Sequence, residues 1–394
     1  MPALVLSEIF PPRTGGSGRW FWEIYRRLPR QEYVIGAGQA PGNQEFDRSH
    51  TLRVERIPLY LPQWGLRSLA GLRGYWRTFR AVEAMLPRYG IDHVHCGRCL
   101  PEGWIGWLLK LRHGLPYLCY MHGEETALTT SREHDLMIRR VLAGAELIIA
   151  NSRNTERMLH ENWGMRPGKV RLLYPGVDGA RFVPAARDAR VRGRLGWDDR
   201  PVVLTVGRLQ RRKGHDQLIL ALDHVRRHIP DVLYAIAGTG EEYQRLADLV
   251  GVTELHHHVR FLGEVDDATL VECYQQCDLF ALPNRDDDRD IEGFGMVLLE
   301  AQACGKPVVA GAAGGTRETM HIPDTGRVVD CRGPDNLAAL LVELLSQPQL
   351  LVRMGRAARP WVLERFDWTS LSRQAQDLFR RDRVSGETLS VGRV

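Results

Sequence analysis

The chain has 394 residues, 44% hydrophobic and 26% charged, with a net charge of +5. That balance is globular rather than disordered, and the length suits two domains of about 150–200 residues better than a single core. No apolar run approaches the roughly 18 residues that span a bilayer. The basic surplus is uneven, since residues 1–180 hold 24 Lys and Arg against 17 Asp and Glu, and residues 181–394 hold 29 against 31. Anionic partners are therefore expected at the first half. No nucleic-acid reader motif accompanies the surplus, so phosphates or a membrane surface are expected rather than nucleic acid. Seven scattered cysteines, an odd number, make no disulfide framework.

The opening run Ala3–Phe10 is broken by Glu8 and lacks a basic lead. It reads as a first strand rather than a signal peptide, and a cytoplasmic protein is expected. Short apolar or β-branched runs then alternate with helical patterns. The predicted strands of the first half are Leu4–Phe10, Tyr33–Ala37, Arg53–Leu59, His93–Cys96, Tyr117–Met121, Leu147–Asn151 and Val170–Tyr174. Those of the second are Val202–Gly207, Val232–Ala237, Val259–Gly263, Leu279–Pro283, Pro307–Ala310 and Gly326–Val329. This alternation predicts an α/β protein with two doubly wound parallel sheets, whose ligands lie beyond the carboxyl ends of the strands. Turn residues from Pro175 to Pro184 mark the break. The expected domains are residues 1–178 and 184–364, followed by a last helix over 367–383 and a frayed tail from Ser385.

Residues 64–88 place Leu66, Leu69, Leu72, Trp76, Phe79, Val82 and Leu86 at three- and four-residue steps, which predicts one apolar helix face. Arg67, Arg73, Arg77, Arg80 and Arg88 fall mainly on the other side. Such a helix either packs its stripe on the sheet or touches an anionic bilayer. The charge asymmetry favours the bilayer, with Arg67, Arg73, Trp76, Arg77 and Arg80 as contacts.

Several segments carry candidate chemistry. Phe10-Pro-Pro-Arg-Thr-Gly15-Gly16-Ser-Gly18 joins the first strand to an aromatic helix start, and its glycines let the backbone approach a pyrophosphate. Phe21 occupies the third glycine position of G-x-G-x-x-G, which disfavours a dinucleotide dehydrogenase. His122, at the carboxyl end of a strand, lies where a cleft ligand would be, or is a hydrogen-bonded loop histidine. Arg208 and Lys213 on one loop can bracket a pyrophosphate and stabilise leaving-group charge. Arg211 and Arg212 between them allow the plainer reading of a solvated loop. Asp286-Asp-Asp-Arg-Asp290 invites a divalent metal, but metal carboxylates need rigid convergence and none is expected here. Cys96 and Cys99, with His93 and His95 nearby, lack a second pair to complete a zinc site. Cys273 and Cys277 are expected to pack, and His256-His257-His258 to form a loop-to-strand junction.

The most informative stretch is Glu292-Gly293-Phe294-Gly295-Met-Val-Leu-Leu-Glu300. Its two carboxylates lie eight residues apart around a helix start, whose unpaired N–H groups suit phosphate and sugar oxygens. Glu300 can accept hydrogen bonds from a vicinal diol such as a ribose.

Taken in order, the glycine loop, His122, Arg208 and Lys213, Gly238 and Gly240, and the Glu292–Glu300 block resemble the retaining glycosyltransferases of family 4. The Pro-Pro-Arg loop resembles the bacterial phosphatidylinositol-mannoside mannosyltransferase branch, and the resemblance spans nearly the whole chain. It implies a GT-B fold, two facing Rossmann-like domains with a cleft between them, the first binding acceptor and the second donor. It implies that His122, Glu292, Arg208 and Lys213 serve catalysis. A nucleotide-diphosphate sugar would meet Gly15, Gly16, Gly238, Gly240, Val265, Glu300 and the backbone of Gly293, Phe294 and Gly295. The leaving phosphate would take the acceptor proton, so no side-chain base and no cofactor or metal is expected. The donor is expected to be GDP-mannose, with UDP-sugars open. The acceptor is expected to be a lipid-linked or saccharide hydroxyl, at the inner face of the plasma membrane. Ser17-Gly18-Arg19-Trp20 departs from the mannosyltransferase branch and leaves acceptor entry open. Rival functions are a soluble sugar-phosphate or glucan synthase, a nucleotide-sugar epimerase, and a non-catalytic scaffold in a polysaccharide assembly complex.

Overall fold

The computed structural model describes residues 1–390 apart from Thr14, Pro62, Asp288 and Arg289, with side chains described as far as Arg380. The chain divides into two compact units. Unit 1 takes Met1–Pro175 and the chain from Trp368, and unit 2 takes Gly176–Asp367.

Unit 1 is built on β1 (Ala3–Ser7), β2 (Tyr33–Ala37), β3 (Val54–Arg56), β4 (His93–Cys96), β5 (Tyr117–Met121), β6 (Leu147–Ala150) and β7 (Val170–Leu172). They form one parallel sheet in the order β3-β2-β1-β4-β5-β6-β7. The inner strands are buried on both faces, which is why they read as continuous apolar runs rather than alternating ones. β1 stops at Ser7, earlier than its apolar run, because Ser7 Oγ bonds the Ile9 carbonyl at 2.7 Å and turns the chain. The helix Trp368–Ser390 returns to this unit. Its Phe379 ring stacks on Tyr25 at 6.0 Å and lies 4.6 Å from His95. Of the tail expected to fray from Ser385, the backbone is helical to Ser390, and residues 391–394 lie outside the described residues.

Unit 2 is built on β8 (Val202–Val206), β9 (Leu233–Ala237), β10 (Val259–Gly263), β11 (Leu279–Leu282), β12 (Val308–Gly311) and β13 (Gly326–Val329). Its sheet is also parallel, in the order β10-β9-β8-β11-β12-β13. Both strand orders reverse beside the first strand of their unit, the switch point where doubly wound sheets bind ligands. Among the described residues no single helix is long and apolar enough to cross a membrane.

The helix Leu69–Tyr89 corrects the expected stripe. It buries Gly71, Gly74, Tyr75, Thr78, Val82, Met85 and Leu86, while Leu69, Leu72 and Trp76 are 71%, 48% and 68% exposed. Small residues make the inner face because the backbone comes close. A Cβ on Gly71 would lie 1.9 Å from the Gly65 carbonyl oxygen, and Thr78 Oγ1 bonds the Pro58 carbonyl at 2.6 Å. Counting apolar residues therefore picked a mixed face. Leu69, Leu72 and Trp76 share the solvent side with Arg73, Arg77 and Arg80, at three- and four-residue spacing.

Substitution tests this placement. Met85→Ala is expected to cost about 2–5 kcal/mol by opening a cavity, and Trp76→Ala to stay within about 0.5 kcal/mol. Urea unfolding measures both, and comparable losses would return Trp76 to the core.

Candidate functional site

In unit 2 the turns leaving β8, β9 and β10 are stitched backbone to backbone. Gly207 N–H bonds the Ala237 carbonyl at 2.9 Å, Gly238 N–H bonds Gly263 at 2.8 Å, and Leu209 N–H bonds Thr239 at 3.0 Å. A Cβ on Gly238 would lie 2.0 Å from the Gly207 carbonyl oxygen, so this approach requires glycine. Val265 follows β10, partly exposed. Arg208 is exposed, with no ion pair among the described residues.

Lys213 is not free in the same way. Its Nζ lies 2.5 Å from Glu292 Oε2, and the Arg212 Nε lies 3.7 Å from the same oxygen. Glu292 is buried; burial raises its carboxyl, but Lys213 and Arg212 outweigh that and hold it below the ordinary value. It is an anion at neutral pH. The cations are fixed from behind. Arg285 N–H bonds the Arg212 carbonyl at 2.9 Å, and the Arg285 guanidinium grips buried Asp216 with two bonds of 2.7 and 2.8 Å. Arg212, for which the sequence also allowed a solvated loop, is thus part of the carboxylate's surroundings, whereas Arg211 is exposed and lies 3.7 Å from Asp287. Asp288 and Arg289 of the aspartate run lie outside the described residues. Asp290 sits 3.6 Å from Arg212.

The helix Met296–Ala303 starts at Gly295, whose φ of 92° places it in the left-handed region that favours glycine. Glu300 stands one turn in, and the buried Tyr274 hydroxyl donates to its Oε2 at 2.7 Å. The Phe294 side chain is buried and packs 5.7 Å from the Phe366 ring, so it anchors the loop and leaves ligand contact to the backbone. Two groups of this loop had escaped notice. Asn284 is fully buried; its Oδ1 accepts the Gly311 N–H at 3.0 Å and its Nδ2 donates to Ala313 at 2.7 Å. That holds the turn after β12 so that Gly315 N–H reaches the Glu292 carbonyl at 3.0 Å. A Cβ on Gly314 would sit 2.0 Å from that carbonyl. The signal was present as Gly314-Gly315-Thr316 directly after a strand.

In unit 1, Gly15 and Gly16 are exposed at the start of the helix Gly16–Tyr25. His122 follows β5 and is held on several sides. Its Nε2 bonds the Gly97 carbonyl at 2.7 Å, and a carbonyl only accepts, so the proton is on Nε2. Glu125 receives the His122 N–H at 3.0 Å and the Gly123 N–H at 2.8 Å. Asn151 Nδ2 donates to the His122 carbonyl at 2.9 Å, and the Trp20 ring meets the imidazole edge-on at 5.5 Å. Burial, with Arg98 acting against Glu124, lowers His122 below its ordinary value. The ring is neutral at pH 7, with Nδ1 left as an acceptor. Burial and Glu124 push Glu125 up to about 7 despite its backbone bonds. Nearby, Glu102 is also buried and pushed up to about 7, although its Oε1 accepts the Glu8 N–H at 2.7 Å.

The remaining candidates are structural. All seven cysteines are buried free thiols, and no three His, Cys, Asp or Glu among the described residues converge as metal ligands. His95 is buried with Nδ1 2.7 Å from the Tyr25 hydroxyl.

A charged constellation at the strand ends of one parallel-sheet unit, and a clamped neutral histidine at those of the other, mark a sugar-transferring enzyme of the GT-B class. Solved structures bear out the fold. Anabaena HepE in complex with UDP and glucose superimposes with a TM-score of 0.81 at 23% identity, covering 96% of this chain and 99% of that one. WaaG, a glycosyltransferase involved in lipopolysaccharide biosynthesis, gives 0.66 at 19% identity, covering 96% and 99%. Residues 14–181 match Glycosyltransferase Family 4, and residues 188–361 match Glycosyl transferases group 1. A GDP-mannose-dependent alpha-(1-6)-phosphatidylinositol monomannoside mannosyltransferase of Mycolicibacterium smegmatis is 33% identical over 388 residues, 95% of this chain and 97% of that protein. A D-inositol 3-phosphate glycosyltransferase of Kineococcus radiotolerans is 34% identical over 329 residues, 76% and 74% of the two chains. The chain belongs to glycosyltransferase family 4.

The raised Glu102 carboxyl gives a pH test. A carboxyl at about 7 when folded, against an ordinary 4.5, favours the folded state while protonated. That contribution is full below the unfolded value and is lost as pH rises through 7. Glu102→Gln should therefore melt progressively higher than the parent as pH rises from about 5 to about 8.5, by about 3 °C or more, the shift that ~1 kcal/mol gives a domain of this size. An equal gap at both pH values would refute it.

Proposed function

We propose that this glycosyltransferase is a retaining hexosyltransferase that takes a nucleotide-diphosphate sugar, GDP-mannose ahead of UDP-sugars, and glycosylates a lipid-linked hydroxyl. In this reading unit 2 holds the donor and unit 1 the acceptor. The observation that carries it is the Lys213–Glu292 pair with Arg212 beside it, at the mouth of a helix bearing Glu300. A diphosphate drawing on Lys213, Arg208 and Arg212 would release Glu292 to accept sugar hydroxyls, while Glu300, oriented by Tyr274, takes the ribose diol. The leaving phosphate receives the acceptor proton as the glycosidic bond breaks, so no protein base is needed. Neutral His122 orients the transferred sugar through Nδ1. GDP-mannose is supported by the mannosyltransferase relatives, and UDP-sugars by the fold neighbour that carries UDP.

The lipid-linked acceptor is supported by the exposed Leu69, Leu72 and Trp76 beside Arg67, Arg73, Arg77 and Arg80. Apolar side chains among cations suit the surface of an anionic bilayer. The D-inositol 3-phosphate relatives support a second reading, transfer to a soluble phosphate-bearing acceptor.

Melting curves with GDP-, UDP- and ADP-sugars in EDTA test the donor. A ligand at 100 times its Kd adds about 2.7 kcal/mol to the native state. One nucleotide class is expected to stabilise the chain, and Glu300→Ala to lose most of that shift. A response only with added magnesium or manganese would overturn metal independence, and an unchanged response in Glu300→Ala would remove the ribose assignment.

Sedimentation with phosphatidylglycerol vesicles tests the surface. Trp76→Ala and Arg77→Ala are each expected to weaken binding, the arginine by about 1 kcal/mol, or roughly fivefold. Absence of vesicle binding in the parent would favour the soluble acceptor.

A further inference from the structure

The end of β4 carries a cation that the donor chemistry leaves unused. Arg98 follows Gly97, whose carbonyl accepts the His122 Nε2–H, and its Nη2 reaches Ser17 Oγ of the glycine loop at 3.4 Å. Within unit 1 it therefore lies between the histidine and that loop. The residue is only 8% exposed. A guanidinium has five N–H donors, and buried ones ordinarily find partners. Among the described residues the contacts are that long bond, a 4.0 Å approach of Nη1 to Glu8 Oε2, and the Trp64 ring with its centroid 6.0 Å away. Opposite, Glu8 Oε2 is itself buried without a hydrogen-bond partner, as is Glu102 Oε2. The Arg98 Nη1 and a buried, unbonded Glu8 oxygen thus face each other across a gap too wide to bond.

A group that closes such a gap must accept from Arg98 and donate to Glu8. A hydroxyl does both. A phosphate oxygen only accepts, and would set a second anion against a buried carboxylate. The charge balance points the same way. Glu124 and Glu8 act on Arg98 together with Glu102 and Glu125, whose charge burial reduces, and Arg13, the other cation here, is bound to Glu8 at 3.0 Å. No cation of this cluster is left over for phosphate. Trp64 beside Arg98 and Tyr60 under Arg13 add aromatic faces.

We infer that Arg98 and Glu8 recognise the acceptor, and that the group they take is an uncharged hydroxyl of a sugar or cyclitol ring rather than a phosphate. The inference rests on unit 1 being the acceptor unit of a glycosyltransferase. One non-reacting hydroxyl accepts from the Arg98 fork and, as the guanidinium shifts to uncover the buried Glu8 Oε2, donates to that oxygen, which turns the ring toward His122. Arg98 and Glu8 are then specificity residues, chemically idle in the transfer.

The test uses the full chain with whichever nucleotide sugar stabilises it most. The acceptors are octyl α-D-mannopyranoside and its 6-phosphate. Transfer is expected to favour the neutral acceptor at least tenfold in kcat/KM. Arg98→Lys keeps the charge but loses the fork, and is expected to raise acceptor KM about tenfold with kcat little changed and donor-induced stabilisation intact. Glu8→Gln, nearly isosteric, should raise the same KM. Equal or faster transfer to the phosphate, or transfer to neither while the donor still binds, would overturn the inference. So would an Arg98→Lys chain that melts lower with acceptor KM unmoved, since that is the mark of a structural ion pair. Failure to bind any nucleotide sugar would instead remove the glycosyltransfer reading on which this one rests.

Discussion

A parallel sheet gathers the carboxyl ends of all its strands on one edge, and each chain leaving that edge must turn within a few residues. Most of what is distinctive in this molecule follows from that constraint, met twice. In unit 2 the turns after β8, β9 and β10 bond one another through their backbones, and Gly238 is there because no side chain fits. Backbone packing of this kind leaves Arg208 exposed at the edge, whereas Lys213 turns to the buried Glu292. In unit 1 the same edge carries the glycine loop, Arg98 and His122, each at the end of a neighbouring strand.

The edges carry buried charge, and buried charge must be compensated. Unit 2 compensates by pairing Glu292 with Lys213 and backing the cations with the Arg285–Asp216 fork. A ligand anion drawing on Lys213 would compete with a carboxylate already in place, and would gain only the difference between two good partners. Unit 1 compensates only partly. Glu102 and Glu125 are both pushed up to about 7, so that part of the burden is relieved by protons rather than by cations. His122, bonded to Glu125, is also clamped by bonds to Gly97 and Asn151, and its proton is committed to a carbonyl.

The thirteen strands were legible because buried parallel strands are short, apolar and bounded by turns. The family was legible because its motifs stand in order at strand ends. What was hidden depended on three-dimensional closeness. The helix Leu69–Tyr89 turns inward a face that holds Gly71, Gly74 and Thr78 beside Tyr75, Val82, Met85 and Leu86, so a tally of apolar positions found Val82 and Leu86 but misplaced Leu69, Leu72 and Trp76. Arg212 looked like one of three basic loop residues until its neighbour across the turn proved to be Glu292. Asn284 and Glu125 act through backbone groups distant or oddly placed in sequence, and no spacing rule announces such bonds. Phe294, inside the most telling motif, serves the core against Phe366.

Unit 1 is written in two pieces, with the whole of unit 2 between them. On the ribosome, the segment to Pro175 emerges first yet lacks the helix from Trp368, whose Phe379 closes over Tyr25 and His95. Unit 2, one uninterrupted stretch, has all its strands available before that helix is made. Domains generally fold in order of synthesis, at about 5–20 residues per second. Here the earlier unit must wait for the later one, for roughly ten seconds or more on that scale, with an aromatic seat still open. The last helix thus sets the moment at which unit 1 becomes complete.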